Sequence, residues 1–199
     1  NIGYEHTNIL GETLEEIAGE KAGIIKPGRV LVTAARNEAV FRVFKEKADS
    51  MGCKVVRVGY DTGYEKLSMS LKGQRFSLRS LHGEYRNLAT PLLGNHQILN
   101  AATAVAAAES LSVYGVQIDE DAIRKGLRDV YWPARLEVVM TRPLVVLDCA
   151  KDAEATEAVR MSVERDIPHR RLVAVVSIST DKKIPAMMRN ICALADTLI

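Results

Sequence analysis

The sequence alternates segments of helical and strand periodicity, and this alternation restricts the possible folds more than any other feature. Residues 30–33 and 54–58 are short runs rich in valine, and residues 38–49 between them carry apolar side chains on one helical face. A strand–helix–strand order of this kind implies two parallel strands in one sheet. The chain is therefore predicted to have an α/β fold.

The alternation continues to the last residue. Residues 67–78 alternate apolar and polar side chains around a Lys72-Gly73 turn, which predicts a β-hairpin. Further helices are predicted over residues 13–22, 93–111, 119–129, 153–164 and 184–194, and further strands over residues 144–147, 172–176 and 197–199. Tyr131-Trp132-Pro133 interrupts the pattern and predicts a boundary between a domain over residues 1–130 and a second, truncated domain over residues 131–199.

Composition excludes several classes of protein. The 27 basic and 25 acidic residues give a net charge of +2, which offers no electrostatic basis for binding nucleic acid or an anionic membrane. No apolar run approaches the ~18 residues needed to cross a bilayer, and the first residues do not resemble a signal peptide. The cysteines lack zinc spacing, so we expect reduced thiols in the core of a cytoplasmic protein.

The first candidate site lies in residues 1–11, before the helix that begins with a Thr13/Glu16 capping box. Loops at the carboxyl ends of parallel strands commonly bind ligands, so His6 is either a metal or phosphate contact or a loop histidine bonded to backbone. Lys21 falls on the apolar stripe of the following helix. Its amine is either partly buried and able to react with carbon dioxide, or carried into solvent by its alkyl stem.

Two later segments also carry candidate ligand-binding residues. His96 and Asn100 share one face in the first turns of a predicted helix, where free N–H groups favour a phosphate or a polar ring. The alternative is that Asn95 caps the helix and His96 has no ligand. Arg135 can reach a phosphate, and Asp148 at the end of a strand can bind ribose hydroxyls. The alternative for this pair is a surface ion pair and a helix cap.

Together these segments resemble the folylpolyglutamate synthase and dihydrofolate synthase family of the Mur ligase superfamily. Residues 1–28 match the family pattern N-I-G-x-D-H-x-x-x-L-G-x-T-L-x-x-I-A-x-E-K-A-G-I-I-K-P-G with few changes. Residues 92–102 match L-x-G-x-H-Q-x-x-N-A-A, and residues 133–137 match P-G-R-L-E with Ala134 in place of glycine. The resemblance covers essentially the whole chain. It implies part of a parallel-sheet, ATPase-type central domain, followed by the start of a Rossmann-like C-terminal domain.

The resemblance also implies roles for individual residues. His6 and a carbamylated Lys21 match residues that hold Mg²⁺ and serve catalysis in the family. The residues that match its nucleotide-binding positions are His96, Gln97, Asn100, Arg135, Asp148 and Lys151. The implied enzyme is a cytoplasmic monomer. It phosphorylates a folate or pterin carboxylate with ATP and then forms an amide bond to the amine of L-glutamate.

The chain departs from the family pattern at several positions. Cys149 and Lys151 replace the glycine and histidine of the family's D-G-A-H-N-P, and Glu5 replaces the aspartate before His6. No G-x-x-x-x-G-K-[ST] phosphate loop occurs, so the chain is expected to be an internal fragment that is inactive alone and binds ATP weakly. The alternatives are a Mur-type ligase acting on another acid and a degenerate, non-catalytic homologue.

Overall fold

The computed structural model describes residues 11–199, which form an alternating series of helices and strands. Helix α1 spans Leu14–Ala22 and begins with the predicted capping box. The Thr13 hydroxyl accepts a hydrogen bond of 3.2 Å from the Glu16 amide, and the Glu16 carboxylate accepts one of 3.0 Å from the Thr13 amide. These reciprocal bonds satisfy amide donors that the start of a helix otherwise leaves unpaired.

The predicted strand–helix–strand unit is confirmed. It consists of strand β1 (Val30–Thr33), helix α2 (Glu38–Ser50) and strand β2 (Lys54–Arg57). The two strands pair in parallel, with Val30 opposite Lys54. Helices α1 and α2 pack against each other. The buried apolar cluster in this region comprises Ala18, Ala22, Ile25, Ala35, Val40 and Phe44.

A three-stranded sheet follows along the chain. Its strands are β3 (Gly63–Ser70), β4 (Gly73–Arg79) and β5 (Glu84–Thr90), in that order across the sheet. The first two correspond to the predicted hairpin. Strand β5 is not predicted, because its sequence is mostly polar and only Leu88 and Thr90 near its end are buried.

The alanine-rich segment forms helix α3 (Asn95–Ser110). Its buried side chains include Ile98, Ala102 and Val105. Within residues 11–199, neither this helix nor any other is long and apolar enough to cross a membrane. A 3-10 turn and helix α4 come next, at Leu111–Tyr114 and Glu120–Asp129.

The last third of the chain has its own core. Its elements are strands β6 (Glu137–Thr141) and β7 (Leu144–Leu147), helix α5 (Ala153–Asp166), strand β8 (Val173–Ala174), helix α6 (Ile184–Leu194) and strand β9 (Thr197–Leu198). Strands β6 and β7 are antiparallel, whereas β8 and β9 are parallel. The buried apolar cluster comprises Leu136, Val163 and Ile167, together with Leu93 from the segment before helix α3.

The chain divides into two compact units. The first contains the described residues up to Glu65 together with Ser77–Arg86 and Ile98–Lys125. The second contains Lys66–Phe76, Asn87–Gln97 and Gly126–Ile199. The dividing line passes through the three-stranded sheet and through helix α3. The domain boundary predicted between residues 130 and 131 stays a prediction.

The expected core location is wrong for two of the cysteines. Cys149 and Cys192 are exposed, because the first lies in the loop after β7 and the second on the solvent side of α6. Cys53 is half-buried, and its thiol donates to the carbonyl of Lys26 at 3.1 Å. All three are free thiols.

Candidate functional site

A glutamate side chain organises the segment that carries Arg135. The Glu137 carboxylate accepts a hydrogen bond of 2.8 Å from the amide of Ala134 and one of 3.3 Å from the hydroxyl of Tyr131. Both bonds are local, three and six residues along the chain. The carboxylate therefore closes the segment into a compact loop, with Arg135 inside the closed stretch.

The backbone on either side of Arg135 is strained. Ala134 and Leu136 have φ angles of 51° and 49°, in the left-handed region that costs an ordinary residue roughly 1–2 kcal/mol. The surroundings hold this conformation in place. Leu136 is only 1% exposed, and the carbonyl of Ala134 accepts a hydrogen bond of 3.0 Å from the amide of Cys149. Strain retained in this way often marks a segment shaped for function.

A second bond brings the carboxylate of Asp148 to the same loop. The amide of Leu136 donates to Oδ2 of Asp148 at 2.9 Å. Asp148 lies directly after strand β7, so the end of this strand is attached to the loop that presents Arg135. The carboxylate of Asp148 is thereby bonded to the backbone next to Arg135, although Arg135 and Asp148 are thirteen positions apart in sequence.

The imidazole of His96 is the third member of this group. Gly94 has a φ of 93°, and a Cβ at that position would lie 2.7 Å from Cε1 of His96 and 2.8 Å from Oγ of Ser162. The ring therefore rests directly on the glycine backbone, beside helix α5. Among the described residues, its buried Nδ1 has no hydrogen-bond partner.

The electrostatics of His96 reflect both charged neighbours. Burial lowers the pKa of His96 below its usual value; Arg135 lowers it as well, whereas the negative charge of Asp148 opposes the shift. The net lowering keeps the ring neutral at pH 7. Because only one nitrogen of a neutral imidazole carries a proton, His96 can offer one donor and one acceptor to a ligand.

The three side chains suit a ligand that combines anionic groups with hydroxyls. Within residues 11–199, the Arg135 guanidinium has no hydrogen-bonded or ionic partner, and it borders a cavity of about 190 Å³ beside the exposed Trp132. A guanidinium of this kind is suited to a phosphate. The Asp148 carboxylate has a second oxygen that can accept from a sugar hydroxyl. The first turn of helix α3, which carries His96, presents amide groups to an anion.

The other predicted nucleotide contacts occupy varied surroundings. Gln97 is 6% exposed. Its backbone amide donates to the carbonyl of Gly94 at 3.0 Å and closes the first turn of α3. Asn100 is exposed on the same helix. Lys151 is exposed and immediately precedes Asp152, whose side chain caps helix α5. Direct contact between these side chains and a nucleotide stays a prediction.

Of the two alternatives for Lys21, a partly buried side chain is wrong. Its side chain is exposed in the last turn of α1, although its neighbours Ile17, Ala18 and Ala22 are buried. The backbone position faces the apolar side, but the four-carbon stem carries the ammonium group outward. The possible role of Lys21 as a metal ligand stays a prediction.

The predicted metal site falls largely outside the described residues. His6 lies in that undescribed part. Among residues 11–199, no group of three histidine, cysteine, aspartate or glutamate side chains is arranged to hold a metal ion.

Two residues that pack around the site are not predicted from the sequence. Gln74 donates through Nε2 to the carbonyls of Leu92 and Gly94, and Ser162 lies against Gly94 beside the imidazole. The alternation of strand β4 offers one usable signal, because position 74 shares the inward register of Phe76 and Leu78. A glutamine in that register predicts a buried side chain with a specific partner.

Comparison with known proteins identifies the family of this chain. Residues 1–108 match the Mur ligase middle domain. The chain is 34% identical over its whole length to the dihydrofolate synthase/folylpolyglutamate synthase of Bacillus subtilis, and 30% identical over 99% of its length to the folylpolyglutamate synthase of Lacticaseibacillus casei. It covers 46% of each of these proteins, so it spans about half the length of the curated relatives it matches.

Solved structures are similar over almost the whole chain. One described as an FPGS-AMPPCP-folate complex has a TM-score of 0.92 and 28% identity, covering 99% of this chain and 48% of that one. The folylpolyglutamate synthase of Mycobacterium tuberculosis complexed with ADP has a TM-score of 0.89 and 29% identity, covering 98% of this chain and 44% of that one. The mixed α/β architecture is thus shared with these proteins.

Proposed function

This chain belongs to the Mur ligase family, and we propose that it is part of an ATP-dependent ligase that joins L-glutamate to a folate or pterin carboxylate. The gathering of His96, Arg135 and Asp148 in one compact unit carries the proposal, because it offers a guanidinium, a carboxylate and a neutral imidazole to one ligand. Similar proteins whose names refer to folylpolyglutamate synthesis, and to complexes with ADP or AMPPCP, give it further support.

The chemistry needs an activated carboxylate, because a carboxylate anion is a poor electrophile. One oxygen of the acceptor carboxylate attacks the γ-phosphorus of ATP, the bond to ADP breaks, and an acyl phosphate forms. The neutral amine of glutamate then attacks the acyl carbon, and phosphate leaves with the carboxylate oxygen. The amine loses a proton as the amide bond forms. Positioning and neutralisation of charge supply most of the catalysis in such phosphoryl transfers.

The described residues would bind and orient the nucleotide. Arg135 would pair with its phosphates, since a guanidinium matches phosphate oxygens with two parallel donors. Asp148 would accept from the ribose hydroxyls through the oxygen not engaged by Leu136. His96 would contribute its single N–H as a neutral donor. The remaining proposed contacts are Gln97, Asn100 and Lys151, the last as a cation where the family has histidine.

Magnesium would be held by residues near the start of the chain. We assign His6 and Lys21 to it, with Lys21 as a carbamate whose oxygens suit a hard cation. When bound, the ion would neutralise phosphate charge during transfer. Carbamylation of Lys21 is tested by the 44 Da that carbon dioxide would add to the intact protein in a native mass spectrum, and by the loss of that mass in Lys21→Arg.

The rest of the proposal concerns the complete protein. Residues 1–130 would belong to a central ATP-binding domain and residues 131–199 to a C-terminal domain, in a cytoplasmic monomer. This chain alone would bind ATP weakly and would not turn over, because its sequence contains no phosphate-loop motif. Micromolar binding of Mg-ATP by this chain alone would contradict that part.

The proposed activity is tested on the full-length protein that contains this chain. ADP release would be measured with L-glutamate and, in turn, dihydropteroate, reduced folates and a muramyl-type acid. Glutamate-dependent release with a pterin acceptor supports the proposal. Turnover only with the muramyl-type acid would indicate a ligase for another substrate. A folded protein without turnover on any acceptor would indicate a degenerate homologue, with Cys149 and Lys151 as the first positions to revert.

A further inference from the structure

The glutamine at position 74 is a polar residue in an apolar register. It lies on strand β4 and is 3% exposed, in the same inward row as Phe76 and Leu78, which are 0% and 1% exposed. A buried amide costs free energy unless its polar atoms find partners. Its retention at this position therefore calls for a specific interaction.

The partners of Gln74 lie in the turn that leads to helix α3. Its Nε2 donates to the carbonyl of Leu92 at 2.7 Å and to the carbonyl of Gly94 at 2.9 Å. Both N–H groups of the amide are thus engaged with acceptors, which fixes its orientation, because the flipped amide would set oxygen against two carbonyl oxygens. Among the described residues, the buried Oε1 has no hydrogen-bond partner. The side chain is therefore committed to these two carbonyls.

The turn held by Gln74 is the surface on which the imidazole of His96 rests. Gly94 has a φ of 93°, and a Cβ at that position would lie 2.9 Å from Nδ1 of His96 as well as 2.8 Å from Oγ of Ser162. The Gly94 carbonyl that accepts from the side chain of Gln74 also accepts from the backbone amide of Gln97 at 3.0 Å. One carbonyl oxygen therefore connects the Gln74 amide to the first turn of α3.

We propose, as an extension of the proposed function, that Gln74 is a positioning residue for the nucleotide site. By fixing the carbonyls of Leu92 and Gly94, it holds the glycine backbone in the left-handed conformation on which His96 packs. It also sets the direction of the first turn of α3. Gln74 itself contacts no nucleotide; it acts through the turn and the imidazole.

Two substitutions separate positioning from simple packing. Gln74→Met keeps the length and apolar volume of the side chain but removes both donors. Gln74→Glu keeps the shape and replaces the amide by a carboxyl group, whose pKa would be raised by burial beside two carbonyl oxygens. As a carboxylate it repels these oxygens, whereas as a neutral acid it donates to one of them. Gln117→Met, at an exposed position, is the matched control.

The measurements are made on the full-length protein, with Mg-ADP as the probe. For Gln74→Met we expect the Kd for Mg-ADP and the KM for ATP to rise about tenfold, because a displaced turn weakens the contacts that His96 and the first turn of α3 make with the nucleotide. The kcat at saturating ATP changes less than twofold. For Gln74→Glu the defect is largest at high pH and recedes as the pH falls. Gln117→Met behaves as the wild type.

The resonances of the His96 ring provide a readout that does not depend on nucleotide. Loss of the two hydrogen bonds from Gln74 should change the chemical shifts of the His96 ring and its titration curve in both Gln74 variants. Unchanged His96 signals and unchanged Mg-ADP affinity in a destabilised Gln74→Met protein would overturn the inference and leave a packing role only. If the wild-type protein bound no nucleotide, the proposed function would fail. The His96 comparison would still decide whether Gln74 positions the ring.

Discussion

The amide of Leu136 donates a hydrogen bond of 2.9 Å to Oδ2 of Asp148, and this bond attaches the loop of Arg135 to the end of strand β7. Arg135 and Asp148 are thirteen positions apart in sequence, and the charges of both act on the imidazole of His96. The bond uses only one of the two carboxylate oxygens. The same aspartate can therefore shape the loop and bind a ligand.

The first prediction concerns the titration of His96. Burial is the largest cause of its lowered pKa, with Arg135 lowering and Asp148 raising it. Arg135→Met should therefore raise the pKa of His96, and Asp148→Asn should lower it further. Histidine ring resonances followed against pH measure both shifts. Arg189→Met, at an exposed site, is the control that should leave them unchanged. Identical titrations in all four proteins would show that the three side chains are not neighbours.

The same group makes stability depend on pH. The folded pKa of His96 lies below its unfolded value of 6.5, so its neutral form is favoured by folding. Its contribution is fully present above pH 6.5 and is lost as the pH falls from there through the folded pKa. A His96→Gln variant should lose this part of the pH dependence. Chemical unfolding at a series of pH values checks the slope; an unaltered slope in the variant would contradict the assignment.

A third prediction follows from the backbone at Ala134. Its φ of 51° suits glycine, which stands at this position in the family pattern P-G-R-L-E. Ala134→Gly should raise the free energy of unfolding by about 0.5–1 kcal/mol, because relief of strain exceeds the added entropy of the unfolded chain. Ala104→Gly in helix α3 should lower it by about 1 kcal/mol. Equal destabilisation by both changes would show that position 134 is not strained.

The fourth prediction concerns a buried arginine outside the candidate site. Arg57 is 6% exposed. Its guanidinium donates to the carbonyl of Ala35 at 3.0 Å and pairs with the carboxylate of Glu38 at 2.7 Å. The guanidinium also lies over the rings of Phe41 and Tyr60. Removing the guanidinium leaves a buried carbonyl unpaired and empties the space between the rings. Arg57→Met should therefore lower the free energy of unfolding by about 2–4 kcal/mol.

A matched control for this change is Arg189→Met, which should alter stability by less than about 0.5 kcal/mol. Denaturant unfolding of both proteins gives the comparison. Similar small effects of the two substitutions would show that the stacked guanidinium has no structural role.

The fifth prediction uses Tyr85, whose hydroxyl donates to the buried Glu109 at 3.0 Å. Burial, together with this bond and the charge of Glu109, raises the pKa of Tyr85 from 10.0 to about 12. The folded state thus favours the neutral phenol, and its contribution is lost as the pH rises from 10 to about 12. Across this pH range the free energy of unfolding should fall more steeply for the wild type than for Tyr85→Phe. Parallel curves would contradict the shift.

Local chemistry made much of the fold predictable. The capping box of Thr13 and Glu16, the parallel pair β1 and β2, and helix α6 all follow from patterns within a few residues. Strands β5 and β6 lack such a pattern. Strand β5 is mostly polar, and β6 is half-exposed with a register irregularity between Val138 and Met140, so their pairing depends on partners elsewhere in the chain.

The sequence predicts the chemically active residues of the candidate site but not the residues that hold them in place. The motifs name His96, Arg135 and Asp148, because their side chains carry the chemistry. The hydrogen bond from Gln74 to Gly94 and the close packing of Ser162 on Gly94 join distant segments of the chain. Such contacts cannot be predicted from the local pattern of apolar and polar residues. Lys21 shows the opposite limit, since helical phase fixes the direction of its Cβ but not the path of a flexible stem.

The most direct test of the account follows one oxygen atom in the full-length protein. The acceptor would carry a heavy oxygen isotope in its carboxylate, and the phosphate released during glutamate-dependent turnover would be examined by phosphorus NMR. The proposed acyl phosphate predicts that each released phosphate carries one acceptor-derived oxygen. Turnover that releases unlabelled phosphate, or the lack of any glutamate-dependent phosphate release with a pterin acceptor, would contradict the central claim.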